Sequence, residues 1–358
     1  MNRMQEEKLR RMMDLIGEPD AEASGRCRAR WDGIAKPLDG LGELENCIVK
    51  IAGMRGTDDV CLDRKAVAVM CGDSAVVREG VAQTSSAVTA SVAASVAAGT
   101  STVNVMARRT GAAVFAIDVG MVSPVVPEGV VPMRVADGAD NIAAGPAMTR
   151  EQAAQGILAG MKTAMDLFSD GYDILAAGEM GIGNTTPAAA VTSLLTGQSP
   201  ETVTGRGAGL SEQAYEQKIG IVRKSLALNV PDPEDPLDIL SKVGSYEIAG
   251  MTGLFLGGAA AGGPVVADGA VSLTAAVLAL RLNPNSAGYM LLSHEGKEPA
   301  CRYLIRETGM KALLKADLSL GEGTGALLLF PLLDIALELY NHGRTFSELG
   351  IEAYKRYT

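Results

Sequence analysis

The chain has 358 residues, enough for one large domain or two smaller ones, and a formal net charge of −10 at pH 7. This acidity argues against a nucleic-acid partner, because proteins that bind nucleic acid present a basic face to the phosphates. The five cysteines are scattered and never form a CxxC pair, which is typical of reduced thiols in a cytoplasm rather than of a disulfide framework.

The first twenty residues predict an amphipathic surface helix, with charged and apolar residues at helical spacing and no secretory signal pattern. A Pro/Gly turn then leads into a second helix from about Leu41. The uncharged run 248–267 has the length of a membrane span, but its glycines and Pro264 favour a buried helix, a turn and a strand. We therefore expect a cytoplasmic protein without a membrane segment.

Strands and helices alternate from about residue 60. The segment "SSAVTASVAASVAAGTS" predicts one helix of small residues, and Thr149 with Gln152 forms a capping box for a helix that reaches about Phe168. A long apolar helix follows "LSLGEGTG" near the end. Apolar runs of strand length occur at 65–71, 112–121 and 173–177 and in "GGPVVADGA" and "GYMLLSHEG", the last clear strand.

This alternation predicts an α/β fold in which parallel strands are joined by right-handed crossovers into a three-layer domain. The two ends of the chain contain no predicted strand. We expect residues 1–60 together with 340–358 to form a small helical subdomain, and residues 61–339 to form the α/β domain.

Ligands of open parallel sheets bind at the carboxyl ends of the strands. Four predicted loops leave such ends, so we expect them to converge on one site. They are "CGDSAV", "GEMGIGNTT", "SHEGKE" and "LSLGEGTG".

The second of these loops matches neither a Walker A sequence nor the GxGxxG spacing of a dinucleotide site. Its glycines allow backbone N–H groups to approach an anion, and its polar side chains add donors at a helix N-terminus. The alternative is a tight turn without a ligand. The residues concerned are Gly181, Gly183, Asn184, Thr185 and Thr186.

Two cations follow this loop. Arg206 lies in a second glycine-rich segment, "TGRGAGL", and Lys218 lies on the next predicted helix. Either side chain could complete a phosphate site, although a lysine on a helix is more often simply solvated.

The segment "GEGTG" places Glu322 between Gly321 and Gly323 in an apolar neighbourhood. Partial desolvation raises the pKa of such a carboxyl and makes it a general base near neutral pH. The alternative is an acid that caps the following helix, which the helix dipole also favours. The sequence leaves both open.

Two histidines and no GxSxG, HExxH or paired-cysteine motif argue against a Ser-His-Asp hydrolase and against a His/Cys metal site. Metal-free acid–base chemistry on a phosphorylated small molecule remains.

Several motifs, in this order along the chain, resemble the nicotinate-nucleotide–dimethylbenzimidazole phosphoribosyltransferases of cobamide assembly. The most specific are "GEMGIGNTTPAAA" and "LSLGEGTGA", accompanied by "IDVGM", "GPAMTREQA", "LSKVGSYEIAGMTG" and "SHEGKE". The resemblance runs from about Lys36 to the last helix. It implies a Rossmann-like large domain, a homodimer with sites near the subunit boundary, and neither a metal nor a cofactor.

The resemblance also implies a reaction. A base attacks C1′ of the ribose in nicotinate mononucleotide, nicotinate leaves, and an α-ribotide forms with inversion. Glu322 matches the catalytic glutamate, which takes the proton of the attacking base, and Gly321 and Gly323 flank it. The loop 181–186 matches the phosphate cradle, and Lys218 matches a lysine near that phosphate.

The chain departs from the family pattern at several positions. Asp73-Ser74-Ala75 replaces an Asp-His-Gly, Ser319 replaces an arginine, and Gly40-Leu41-Gly42-Glu43 replaces an early Gly-Ser-Leu-Gly-Arg. In the implied base pocket, which includes Asp73 and Ser74, Thr84 and Val92 stand where the family has a serine and a glutamine. One wall of that pocket is therefore expected to be less polar.

Two explanations compete. In the first, the pocket is adapted to another lower-ligand base, such as a phenol or p-cresol. Such bases are used in a branch of the family whose enzymes are heterodimers of paralogous subunits. Alternatively, the chain is a catalytically weak or inactive subunit of such a pair. The intact Glu322 favours activity, whereas the lost cations weaken the expected affinity for an anionic substrate.

Overall fold

The computed structural model of the chain describes residues 4–356. Within them, seven parallel strands form one sheet in the order β3-β2-β1-β4-β5-β6-β7. The strands are β1 (Lys65–Gly72), β2 (Ala113–Gly120), β3 (Val131–Pro132), β4 (Ile174–Met180), β5 (Val265–Ala267), β6 (Met290–Glu295) and β7 (Ala312–Lys315).

Helices flank this sheet and occupy both ends of the chain, which confirms the predicted α/β fold. They are α1 (Met4–Met13), α2 (Ala21–Gly33), α3 (Glu43–Arg55), α4 (Ala87–Ala97), α5 (Thr102–Thr110), α6 (Arg150–Ser169), α7 (Thr185–Thr196), α8 (Pro200–Val203), α9 (Glu212–Asn229), α10 (Pro236–Val243), α11 (Tyr246–Ala260), α12 (Ala270–Leu282), α13 (Ala300–Thr308), α14 (Thr324–His342) and α15 (Phe346–Leu349).

The central strand β1 is buried along its whole length, as expected for a parallel strand with helices on both faces. Close packing of α6 on α11 depends on glycine. A Cβ atom on Gly160 would lie 1.8 Å from the carbonyl oxygen of Gly250, and one on Gly253 would lie 1.9 Å from that of Ile157. The abundance of glycine thus allows backbone-to-backbone contact between these two helices.

The structure corrects several predicted elements. The last clear strand of the sequence analysis is β6, but β7 follows it, and β3 and α2 also lie where none was predicted. The predicted helix of small residues is α4, which ends at Ala97 before Gly99 with its left-handed φ of 76°. The next helix, α5, was not predicted, and Ser101 begins it with a capping box to Asn104. The first helix spans 4–13, and residues 1–3 of the prediction lie outside the described residues.

Elsewhere, local sequence signals predicted the elements correctly. Thr149 and Gln152 form the predicted capping box of α6, and the run 248–267 folds as α11, a turn and β5. Two other stretches, Ala87–Thr110 and Thr324–His342, have the length and hydropathy of a membrane span. The first is interrupted between α4 and α5, and more than half of the second is buried inside the protein. The expected absence of a membrane segment stays a prediction.

The two ends of the chain contact one another. The ring of Trp31 packs on that of Tyr340 with 5.1 Å between centroids, and Ile34 forms an isolated antiparallel bridge with Thr345. The predicted division into a helical subdomain of 1–60 with 340–358 and a domain of 61–339 stays a prediction, and residues 357–358 lie outside the described part of the chain.

Candidate active site

A cavity of about 300 Å³ lies where β4, β5 and β6 end, beside the loop that precedes α14. Three of the four predicted loops line it. The first loop, "CGDSAV", does not, although residues 81–84 further along the same connection do. The lining residues fall within 81–84, 179–185, 206–210, 268–272, 294–301 and 318–325.

The cavity brings together about half of the site residues expected from the sequence. Those that line it are Thr84, Gly181, Gly183, Asn184, Thr185, Gly321 and Glu322. Those that do not are Asp73, Ser74, Val92, Thr186, Lys218 and Gly323.

The glycine loop presents backbone donors to the cavity. Gly183 has a left-handed φ of 84°, and α7 begins immediately after Asn184. Within the described chain, the N–H groups of Gly183 and Thr185 donate to no protein acceptor. Free N–H groups at the start of a helix bind anions, so this geometry suits a phosphate.

Lys218 is fully buried on α9 behind this loop. Its Nζ donates hydrogen bonds to Oγ1 of Thr185, at 2.8 Å, and to the carbonyl oxygen of Gly205, at 2.9 Å. Burial lowers its pKa to about 8, and the carboxylate of Glu298 opposes that shift. Lys218 therefore joins the start of α7 to the second glycine-rich loop instead of being solvated.

Glu298 belongs to the predicted loop "SHEGKE", although the sequence analysis did not single it out, and it lines the cavity. Its Oε1 accepts the N–H of Gly207 at 3.1 Å. Arg206 also lines the cavity, but its guanidinium is paired with Glu212 and stacks over the ring of Tyr215. Lys218 is thus the cation buried directly behind the start of α7.

Glu322 adopts a left-handed φ of 59°, between Gly321 at 85° and Gly323 at 82°. A left-handed non-glycine residue is uncommon and marks strain that the surroundings must hold in place. Its Oε2 accepts the N–H of Val103, in the first turn of α5, at 3.2 Å. Burial raises the pKa of the Glu322 carboxyl, and this hydrogen bond opposes the shift.

The two alternatives for Glu322 therefore coexist in the structure. Its carboxylate lies at the N-terminus of a helix, but that helix is α5 and not α14, which directly follows it in the chain. The same carboxylate also lines the cavity with a raised pKa, as a general base requires.

Asp268 directly follows β5 and accepts hydrogen bonds from the backbone that follows Glu322. Its Oδ2 accepts the N–H of Gly323 at 3.2 Å and its Oδ1 that of Ala326 at 3.0 Å, so it caps α14 from another element. Burial raises the pKa of Asp268 to about 6 despite these donors. The sequence showed this residue only as "ADGA", without a recognisable signal for the role.

Glu179 is another residue that the sequence analysis did not single out. β4 continues to Met180, three residues beyond the predicted end, so Glu179 lies in the strand and not in the loop. Burial raises its pKa to about 7, while the side-chain amide of Asn184 donates to it. The signal that could have identified Glu179 in the sequence is an acidic residue at the end of an otherwise apolar strand.

Asp73 lies behind the glycine loop and not on the cavity wall. Its Oδ1 accepts the hydroxyl of Thr89 at 2.6 Å, and its Oδ2 accepts the N–H of Val122 at 2.8 Å. Thr89 in turn accepts the N–H of Ile182 at 3.2 Å. Asp73 thus supports the loop through Thr89.

Ser74 caps the 3-10 helix Ala75–Glu79, and Val92 is a partly buried residue of α4. The replacement of the family's histidine by Ser74 therefore affects a buried position and not the cavity wall. Ser319 does line the cavity, whereas residues 40–43 do not. Of the four residues expected in the base pocket, only Thr84 reaches the cavity.

Glu247 at the start of α11 is fully buried, and its Oε2 has no hydrogen-bond partner within the described residues. Burial raises its pKa from 4.5 to about 8. The folded state consequently keeps a proton that the unfolded state has lost between these two values, and stability falls as pH rises through this window.

We expect Glu247→Gln to flatten this dependence, because the amide has the shape of the protonated acid and does not titrate. Relative to the wild type, the variant should gain on the order of a few kcal/mol between pH 5 and pH 8. Denaturant unfolding at the two pH values measures the gain. The exposed Glu7→Gln is the control, and parallel curves for Glu247→Gln and wild type would contradict the prediction.

Comparisons with known proteins agree with this geometry. A family model described as "Phosphoribosyltransferase" matches residues 16–351. A relative from Acetivibrio thermocellus is 41% identical over 340 residues, which cover 95% of this chain and 97% of that protein. One from Salmonella agona is 42% identical over 328 residues, covering 91% and 92%. Both are named nicotinate-nucleotide–dimethylbenzimidazole phosphoribosyltransferase.

The fold matches as well as the sequence. The crystal structure of CobT from Thermus thermophilus superposes with a TM-score of 0.87 at 38% identity, covering 92% of this chain and 99% of that one. Sequence similarity therefore extends over the sheet and the cavity. The chain belongs to the nicotinate-nucleotide–dimethylbenzimidazole phosphoribosyltransferase family.

Proposed function

We propose that this enzyme transfers the phosphoribosyl group of nicotinate mononucleotide to a cobamide lower-ligand base, giving an α-ribotide and nicotinate. The base is of the benzimidazole type or a phenol. The names of the relatives support the first kind of base. The observation that carries the proposal is the Glu322 carboxylate, which has a raised pKa and lines the same cavity as the N–H-rich start of α7.

The proposed chemistry divides between substrate and protein. Nicotinate leaves as a neutral pyridine from a cationic pyridinium, so its departure needs little acid assistance and no cofactor. The protein has to anchor the phosphate, orient the attacking base toward C1′ and accept its proton. The free N–H groups of Gly183 and Thr185 are suited to the first task and Glu322 to the last.

Two further carboxyls support a glycosyl transfer. Glu179 and Asp268 both line the cavity, and burial raises their pKa values to about 7 and about 6. Positive charge develops on the ribose ring as the bond to nicotinate breaks. Glu179 and Asp268 would stabilise this positive charge in their ionised form, and less well when they are protonated.

The proposal is tested by incubating the purified chain with nicotinate mononucleotide and, separately, with dimethylbenzimidazole and phenol. We expect nicotinate and one α-ribotide to appear in equal amounts in at least one mixture. A phenol has a pKa of about 10, so it is the more demanding nucleophile for a carboxylate base. Release of nicotinate without a ribotide would indicate hydrolysis and contradict the proposal.

The alternative function is a weak or inactive subunit that pairs with a paralogue. Ser319 favours it, since this cavity-lining residue carries no charge where the resemblance led us to expect a cation. In that case the chain alone produces no ribotide, and the mixture with its paralogue does. Light scattering of each preparation distinguishes a homodimer, which we propose for an active enzyme, from a heterodimer.

A further inference from the structure

His294 lies in β6 at the wall of the cavity, and no step proposed above uses it. Its ring is buried, and Nδ1 is 2.9 Å from Oγ of Ser293. The same Oγ donates a hydrogen bond, at 2.7 Å, to the carbonyl oxygen of Ala267. A carbonyl oxygen can only accept, so the single hydroxyl proton of Ser293 is committed to Ala267.

This arrangement decides the tautomer of His294. Ser293 has only its lone pairs left for the imidazole, and Nδ1 must therefore carry the proton that joins them. Burial lowers the pKa of His294 below its ordinary value of 6.5, so the ring is neutral at pH 7. A neutral imidazole has one N–H, which leaves Nε2 as an unprotonated acceptor.

Nε2 is accessible because glycines flank it. A Cβ atom on Gly296 would lie 3.4 Å from Nε2, and one on Gly269 would lie 4.0 Å away. Both glycines line the cavity. Among residues 4–356, no group donates a hydrogen bond to Nε2, and this nitrogen is not one of the fully buried unpartnered atoms. The cavity therefore has an open acceptor at this point of its wall.

We propose that Nε2 of His294 accepts a hydrogen bond from a ribose hydroxyl of the phosphoribosyl donor, and that Ser293 is the positioning residue that keeps Nε2 unprotonated. The inference rests on the proposed function. Phosphate dianion and nicotinate carboxylate only accept hydrogen bonds, and the proton of the attacking base goes to Glu322. The 2′ and 3′ hydroxyls are the donors that remain.

The test compares nicotinate mononucleotide with its 2′-deoxy and 3′-deoxy analogues at pH 8, where the phosphate is a dianion. The ratio of kcat/KM between donor and analogue is measured for wild type, His294→Phe, His294→Gln and Ser293→Ala. Comparing ratios between proteins cancels the different intrinsic reactivity of the analogues.

We expect His294→Phe to reduce the preference for the hydroxyl at one ribose position by about tenfold or more, the usual effect of leaving a buried polar group unpaired. His294→Gln should restore part of it, since its amide oxygen can accept near the position of Nε2. Ser293→Ala should also reduce the preference, although it touches no substrate, because the imidazole proton is then free to occupy Nε2.

An unchanged ratio in His294→Phe at both ribose positions would overturn the proposal. An unchanged ratio in Ser293→Ala alone would overturn the role of Ser293. If a variant does not fold, equal Kd values of the wild type for all three donors, measured by calorimetry, also overturn it. Failure of the wild type to form any ribotide would refute the proposed function instead, and the three Kd values would still test His294.

Discussion

Glu322→Gln is expected to lower kcat by roughly two to four orders of magnitude, the usual contribution of a general base. Glutamine keeps the size of the side chain, and its amide oxygen can still accept the N–H of Val103 that holds Glu322 at the start of α5. It cannot take up a proton from the attacking base. The free energy of unfolding should consequently change far less than kcat, and KM for nicotinate mononucleotide should change little.

The pH profile gives an independent measurement of the same group. Burial raises the pKa of Glu322 above 4.5, and only its ionised form accepts a proton. The kcat/KM of the wild type should therefore fall as pH decreases through this raised pKa, while the residual activity of Glu322→Gln should not follow it.

Glu338→Gln is the matched control for this experiment, because Glu338 lies on the same helix, α14, with an exposed side chain. It should behave as the wild type in both rate and pH profile. Turnover in Glu322→Gln at the rate of this control would refute Glu322 as the base.

Lys218→Met is expected to raise KM for nicotinate mononucleotide by about ten- to a hundredfold, as the loss of a hydrogen bond to a charged group predicts. Methionine has a similar length but cannot bridge Thr185 and Gly205, which Lys218 joins behind the anion-binding N–H groups. Its removal also deletes the buried positive charge next to the start of α7. The effect on kcat should be smaller, because the proton acceptor is elsewhere.

Ionisation of Lys218 offers a second measurement. Burial lowers its pKa to about 8, so the free enzyme loses this charge as pH rises through that value. The kcat/KM of the wild type should fall over the same range, whereas that of Lys218→Met should not. Lys224→Met, on the exposed side of the same helix, is the control. A KM in Lys218→Met equal to that of Lys224→Met would mean that the phosphate binds elsewhere.

Local sequence signals determined much of the fold. The capping box at Thr149 begins α6 as predicted, and the buried apolar runs became the central strands of a parallel sheet. These signals succeed because a helix start or a buried strand is specified by residues a few positions apart. The edge strands β3 and β7 are only partly buried and so show no buried apolar run, and pairing with β2 and β6 defines them.

The glycine motifs also predicted two loops that the structure brings to one cavity. The loop at 181–185 and the turn at 321–322 line one cavity, although more than a hundred residues separate them. Glycines that allow left-handed turns and close backbone approach leave a recognisable trace in a sequence. The charged residues around them leave none, since the same letter can denote a solvated side chain, a cap or a base.

The sequence by itself therefore determined the fold class, the family resemblance and two loops that line the cavity. Tertiary structure alone decided that the carboxylate of Glu322 caps α5 rather than α14, that Lys218 is buried, and that Asp73 supports the loop from behind. It also decided which nitrogen of His294 is hydrogen-bonded to Ser293. The physical reason is that pKa, tautomer and orientation depend on desolvation and on hydrogen-bond partners, which here lie as far as 219 positions apart in the chain.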